Sequence, residues 1–204
     1  MKIGIIDYGV GNIRSVYNSI YKLIDKVEVV ENPHKIKEFD KIVLPGTGSY
    51  ANSIEILKNN HWFDEIKDFV EIKQKYILGI CLGMQLFSNV GFEDKKSYGF
   101  NFIDGEVKSL FSMGCNLKLP LIGWNNIKFK KGSNMLKDVN NLSDVYFVNS
   151  YSLIPQKNNV ILTSSNYGID FVSSVEKDNI IGTQFHPEKS SHAGRKILKN
   201  FVDA

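Results

Sequence analysis

Arginine is nearly missing from this chain. Of its 25 cationic side chains only Arg14 and Arg195 carry a guanidinium; the rest are lysines. Bidentate recognition of phosphate and guanine favours arginine, so a nucleic-acid platform is not expected. The net charge is a weak +3, which points the same way. Cysteine is also scarce. Cys81 and Cys115 cannot build a disulfide framework, and free thiols are expected. With five prolines there is no Pro-rich linker. No run approaches the roughly 20 apolar residues that a membrane helix needs. The first apolar stretch, Ile3 to Ile6, is broken at once by Asp7 and is too short for the core of a signal peptide. These features favour a cytoplasmic chain with no membrane segment. The 43% hydrophobic and 23% charged composition of 204 residues excludes wholesale disorder, collagen and coiled coil, and suits one domain over residues 1–204.

Short apolar runs alternate with amphipathic segments in the first half. Lys2–Asp7, Val27–Glu31, Lys41–Gly46 and Tyr76–Cys81 read as strands. Between them Ile13, Val16, Tyr17, Ile20, Leu23 and Ile24 keep helical spacing, and Ile54–Leu57 and Trp62–Val70 also look helical. Leu82 to Val90 reads as a helix with Gly91 past its end. Strand–helix alternation of this kind predicts an α/β fold with a mostly parallel central sheet and helices on both faces. From about Gly99 the runs become short, β-branched or aromatic and separated by turns, which predicts additional strands, some antiparallel, in the C-terminal half. Lys196–Val202 suits a closing helix. The charge clusters Glu93 to Lys96 and Lys128 to Lys131 read as solvated loops.

Chemistry concentrates in three places. Gly79-Ile80-Cys81-Leu82-Gly83 follows an apolar run and opens a helical one. This is the glycine-flanked nucleophile elbow, with sulfur in place of oxygen. A lone cysteine at a strand end is ordinarily an inert buried thiol; glycines at elbow spacing argue instead for a nucleophile. A helix N-terminus beneath Cys81 favours negative charge there, and the Leu82 amide is placed to donate to an oxyanion. A thiol nucleophile needs a base. His186 precedes Pro187 and Glu188, a stiff turn in which a carboxylate can fix the imidazole tautomer. His34 and His61 fall among polar or helical residues and His192 has no such neighbour. Pro45-Gly46-Thr47-Gly48-Ser49 ends the third strand with two glycines, which lets backbone amides turn toward an anion. It is neither a Walker loop nor a dinucleotide fingerprint.

Together these pieces resemble the class I, triad-type glutamine amidotransferases. Asp7-Tyr8-Gly9-Val10-Gly11-Asn12, Phe102-Ile103-Asp104-Gly105, Gly123-Trp124-Asn125, Tyr146 to Tyr151 and Gln184 to Ser190 narrow the resemblance to the HisH family, the glutaminase subunits of imidazole glycerol phosphate synthase, over essentially the whole chain. That resemblance implies a catalytic triad of Cys81, His186 and Glu188. It implies oxyanion donors at Leu82, Thr47 and Gly48, and contacts to L-glutamine from Gly48, Gln85, Ser150 and Tyr151. It implies a HisF-type (β/α)8 partner that receives ammonia across a face including Asn12, Trp124, Asn125, Tyr146 and Lys189. No cofactor or metal is implied. Trp124 is also large enough for a core residue, and Lys189 could simply be solvated.

Two positions depart from the family's usual strings. Asn149 stands where Phe-Val-His is common, and Leu121 where Pro-His-x-Gly-Trp-Asn is common. Both segments are expected to face the partner or the glutamine site. The departures keep open a second acceptor for the ammonia, a HisF-like synthase of surface-sugar amidination. A non-catalytic scaffold and a stand-alone cysteine hydrolase are the remaining alternatives.

Overall fold

The computed structural model describes all 204 residues. Four apolar runs of the first half become parallel strands: β1 (Ile3–Ile6), β2 (Val27–Val30), β3 (Lys41–Gly46) and β4 (Tyr76–Cys81). Two-residue strands β5 (Val90–Gly91) and β6 (Ser97–Tyr98) follow, then β7 (Gly105–Ser109), β8 (Leu121–Asn126) and β9 (Lys128–Phe129). The last five are β10 (Asp144–Asn149), β11 (Tyr151–Pro155), β12 (Ile161–Asn166), β13 (Asp170–Lys177) and β14 (Ile180–Thr183). The helices are α1 (Ile13–Tyr21), α2 (Tyr50–Asn59), α3 (Trp62–Lys67), α4 (Leu82–Gln85) and α5 (Ser191–Asp203).

The main sheet runs β2-β1-β3-β4-β14-β13-β12-β9. It is parallel from β2 to β14 and antiparallel beyond, so the expected mixture of strand directions meets inside one sheet. Strands buried on both sides need apolar residues at consecutive positions, and the period of two then divides them between the faces. Ile3, Ile5, Val43, Leu78 and Ile80 pack with Val16 and Ile20 of α1 and Ile197, Leu198 and Phe201 of α5. Ile6, Ile42, Leu44 and Ile77 pack on the other face with Ile54 and Leu57 of α2 and Trp62 and Ile66 of α3. Two smaller sheets, β10-β8 and β11-β7-β5-β6, complete the C-terminal half.

Helix limits differ from the sequence reading in instructive ways. The segment expected as one helix from Leu82 to Val90 is helical only to Gln85, and Val90–Gly91 is a strand. The carbonyls of Leu86, Phe87 and Ser88 accept from the amides of Phe100, Phe102 and Asn101, so a distant segment takes the groups a longer helix would use. Gly91 lies against the Tyr50 ring, where a Cβ would fall 2.6 Å from its carbons. The Trp62–Val70 segment is α-helical to Lys67 and then widens into a π turn over Asp68–Ile72. α2 begins four residues earlier than expected because Ser49 caps it, its Oγ accepting from Asn52 N. α5 begins at Ser191, directly after the Pro187–Lys189 turn.

Candidate active site

Cys81 ends β4 at the point where the chain turns into α4. Its φ of 56° and ψ of −112° fall in a region that side chains other than glycine rarely adopt. Such strain persists only where the surroundings impose it. Here they do. A Cβ on Gly83 would fall on the Leu44 carbonyl, and one on Gly46 would sit 2.8 Å from Gly83 N. Gly83 in α4 and Gly46 in β3 therefore let the helix lie against the strand. The helix beneath Cys81 is a single turn, shorter than the sequence suggested, so the local amides and not a long macrodipole set the field at the sulfur.

His186 follows β14, the neighbour of β4, and reaches the same end of the sheet. Its backbone is pinned to β10: His186 N donates to Tyr146 O at 2.9 Å, and Ser190 Oγ donates to His186 O at 2.6 Å while accepting from Tyr146 N at 2.9 Å. The ring nitrogen Nδ1 lies 2.9 Å from Glu188 Oε1, and the ring borders the same cavity as Cys81, whose thiol donates to Val148 O at 3.6 Å. The Glu188 carboxylate is fully buried, and its second oxygen has no partner. Burial works against a charged imidazole, but the bonds and negative charges of Cys81 and Glu188 outweigh it and push its pKa up to about 10. The three side chains expected to form a triad are thus brought to one place: Glu188 holds His186, and His186 and Cys81 face the same cavity. The other histidines do not join them; His34 instead pairs with Glu65 at 2.8 Å on the surface.

Cys81 and His186 open into a cavity of about 230 Å³. All the residues expected to stabilise an oxyanion or hold a ligand border it: Thr47, Gly48, Leu82, Gln85, Ser150 and Tyr151. Thr47 and Gly48 form an exposed rim, with Gly48 at φ +88°. Gln85 is buried, and its Nε2 donates to Tyr151 O at 3.0 Å and to Gln184 Oε1 at 2.9 Å.

Two further residues, Glu93 and Gln184, escaped the sequence reading. Glu93 was read as part of a solvated loop, yet it lines the cavity and accepts from Tyr50 N at 2.8 Å. Burial raises its pKa, the Tyr50 amide opposing and Asp94 assisting, and its carboxyl and that of Asp94 help burial raise the Tyr151 phenol. A charged loop carries no sequence signal for which of its members turns inward; Asp94, Lys95 and Lys96 are exposed. Asn149, whose segment was expected to face the partner or the glutamine site, borders the cavity and donates to Tyr151 O at 3.0 Å. Gln184, within the Gln184-Phe185-His186 string, is wholly buried, and its Nε2 donates to Cys81 Sγ at 3.7 Å. Leu121 behaves differently from Asn149. It points into the core from β8, so that departure faces neither a ligand nor a partner.

The residues expected on a partner face are only partly gathered. Trp124 is 55% exposed and so is not a core residue. Its ring meets Tyr146 edge-on at 5.9 Å, and Lys189 Nζ lies 5.9 Å from the Tyr146 centroid. Asn125 turns aside to donate to Asn166 O. Asn12 heads α1 without a hydrogen bond to any of the four. No three His, Cys, Asp or Glu side chains stand where they could hold a metal ion.

The model of class I glutamine amidotransferases matches residues 4–204. The chain is 42% identical over 207 residues to the imidazole glycerol phosphate synthase subunit HisH of Pelagibacter ubique, covering all of both chains. It is 41% identical to subunit HisH 1 of Campylobacter jejuni over 98% of each chain. Among solved structures, PurLQS from Thermotoga maritima superposes with a TM-score of 0.77 at 14% identity, covering 99% of this chain and 97% of the other. At that identity the likeness concerns the fold.

Proposed function

The chain belongs to the class I glutamine amidotransferases and, within them, to the HisH family, and we propose that it hydrolyses L-glutamine to glutamate and ammonia through a thioester on Cys81. The observation that carries this reading is Cys81 and the Glu188-held His186 lining one cavity of small-molecule size.

Each residue has a task in that reaction. Sγ of Cys81 attacks the side-chain amide carbon of glutamine. The developing oxyanion accepts from the Leu82 amide and from the Thr47–Gly48 backbone. His186 carries the thiol proton to the departing nitrogen, and ammonia leaves. Glu188 holds the ring by Nδ1 and stabilises its charged form. His186 then deprotonates a water that attacks the thioester, releasing glutamate and restoring the thiol. Gly48, Gln85, Ser150 and Tyr151 hold the substrate. Glu93 supplies the negative charge that an α-ammonium group requires. No step calls for a cofactor or a metal.

Ammonia released in this way serves a cytoplasmic, heterodimeric imidazole glycerol phosphate synthase of histidine biosynthesis, with a HisF-type (β/α)8 subunit as partner. The names carried by the relatives support this acceptor over a surface sugar. Trp124, Tyr146 and Lys189 form the centre of the docking face, with Asn12 and Asn125 at its margins. Residues 1–204 act as one glutaminase domain.

Glutamate release from L-glutamine in the complex of the two subunits tests the reading. The native chain should release glutamate and the Cys81→Ala chain should not. Equal release from both would refute a Cys81 thioester.

A further inference from the structure

Gln184 joins two parts of the site, Gln85 and Cys81. Its side chain is wholly buried and makes two hydrogen bonds of opposite sense. Oε1 accepts from Gln85 Nε2 at 2.9 Å, and Nε2 donates to Cys81 Sγ at 3.7 Å. The polarity of this chain is not arbitrary. Tyr151 O, a backbone carbonyl, can only accept, and it receives Gln85 Nε2 at 3.0 Å. Gln85 therefore presents its NH2 on that side, and Gln184 must meet the same NH2 with its oxygen. The Gln184 NH2 is then left facing sulfur. A flipped Gln85 would set its oxygen against two acceptors, a cost of about 1–3 kcal/mol for each unmet buried group.

The arrangement has a consequence for substrate. Both Nε2 protons of Gln85 are engaged within the protein, while its Oε1 accepts no protein hydrogen bond. Gln85 borders the cavity, so it offers an acceptor to a donor on the ligand. The donor side of Gln184 meanwhile places an N–H against the sulfur of the nucleophile.

We propose that Gln184 is a positioning residue of the glutaminase, holding Gln85 with its oxygen toward the substrate and at the same time presenting an N–H to the Cys81 sulfur. The inference rests on the glutaminase reading. It predicts that the two halves of one carboxamide can be separated by substitution. Gln184→Glu keeps an acceptor for Gln85 but loses the donor to sulfur. Gln184→Met keeps the length and loses both.

The test uses the two-subunit complex for turnover and iodoacetamide for the thiol. In Gln184→Glu the KM for glutamine should stay within about twofold of native, while alkylation of Cys81 slows about tenfold. In Gln184→Met the KM should rise about tenfold, the loss of one fixed polar contact, and alkylation should also slow. Adding Gln184→Met to a Gln85→Leu chain should raise KM no further, because the contact is already gone. Equal effects of the two variants on both readouts would overturn the proposal, as would native values in both. Additive KM effects in the double variant would overturn it as well. Native complex that releases no glutamate would refute the glutaminase reading itself. Native turnover with indifferent variants would remove only the role of Gln184.

Discussion

His186 Nδ1 and Glu188 Oε1 stand 2.9 Å apart although only Pro187 separates the two residues. Proline fixes its own φ and restricts the residue before it, and His186 accordingly adopts an extended backbone before the one-turn helix of Pro187–Lys189. The turn brings the carboxylate back onto the ring. The bond is built into one short segment, whose backbone β10 in turn holds in place. Its function is orientation, since Glu188 reaches the ring and not the sulfur.

Substitution should reflect that division of labour. Glu188→Gln is expected to slow glutamine hydrolysis less than His186→Ala, by at least about tenfold, because a misheld base still transfers protons and an absent one does not. Steady-state kcat in the complex decides this. The reverse order would exchange the assigned roles.

Loss of the nucleophile should uncouple the two reactions of the synthase. Cys81→Ser should lower glutamine-dependent synthesis by at least about a thousandfold. Synthesis supplied with ammonium salts should continue at the native rate. Product formation under the two nitrogen sources makes the comparison, and failure of ammonia to substitute would contradict a channelled intermediate.

Glu93 lies in a loop that could have been solvent-facing, yet its carboxylate is held in the cavity by Tyr50 N. Glu93→Gln should raise the KM for glutamine roughly ten- to hundredfold, the range expected for a charged hydrogen bond, with a smaller change in kcat. An unchanged KM would remove Glu93 from substrate recognition.

The His186 imidazolium also links folding to pH. Its pKa is raised from 6.5 to about 10, so between those values the folded chain binds more protons than the unfolded one. The stabilisation is complete below about pH 6.5 and is lost as the pH rises toward 10. Part of the rise comes from Cys81, so Cys81→Ala should lose less stability across that window than the native chain. Chemical denaturation at pH 6, 8 and 10 measures the difference. Parallel curves would mean that Cys81 does not hold the charge on His186.

Much of this architecture could be read from residue order. The parallel strands were legible because burial on both faces requires unbroken apolar runs, as in Lys41–Gly46 and Tyr76–Cys81. The elbow and the His186-Pro187-Glu188 turn were legible because their chemistry lies within a few consecutive residues. What the sequence concealed depends on contacts between distant segments. The helix after Cys81 ends at Gln85 because residues 100–102 claim the next carbonyls. Glu93 turns inward because the head of α2 offers it an amide. Gln184 becomes part of the site only when β14 lies beside β4. The alternation of β8 likewise buries Leu121 and exposes Trp124, a distinction that neither side chain declares alone.

The most direct test of the account is glutamate release by this chain mixed with a HisF-type synthase subunit from the same genome, with and without the phosphoribulosyl-formimino intermediate of histidine synthesis. The account predicts strong stimulation by that intermediate, abolished in Cys81→Ala. A folded mixture that the intermediate leaves unstimulated would contradict the histidine-pathway assignment and direct the ammonia to another acceptor.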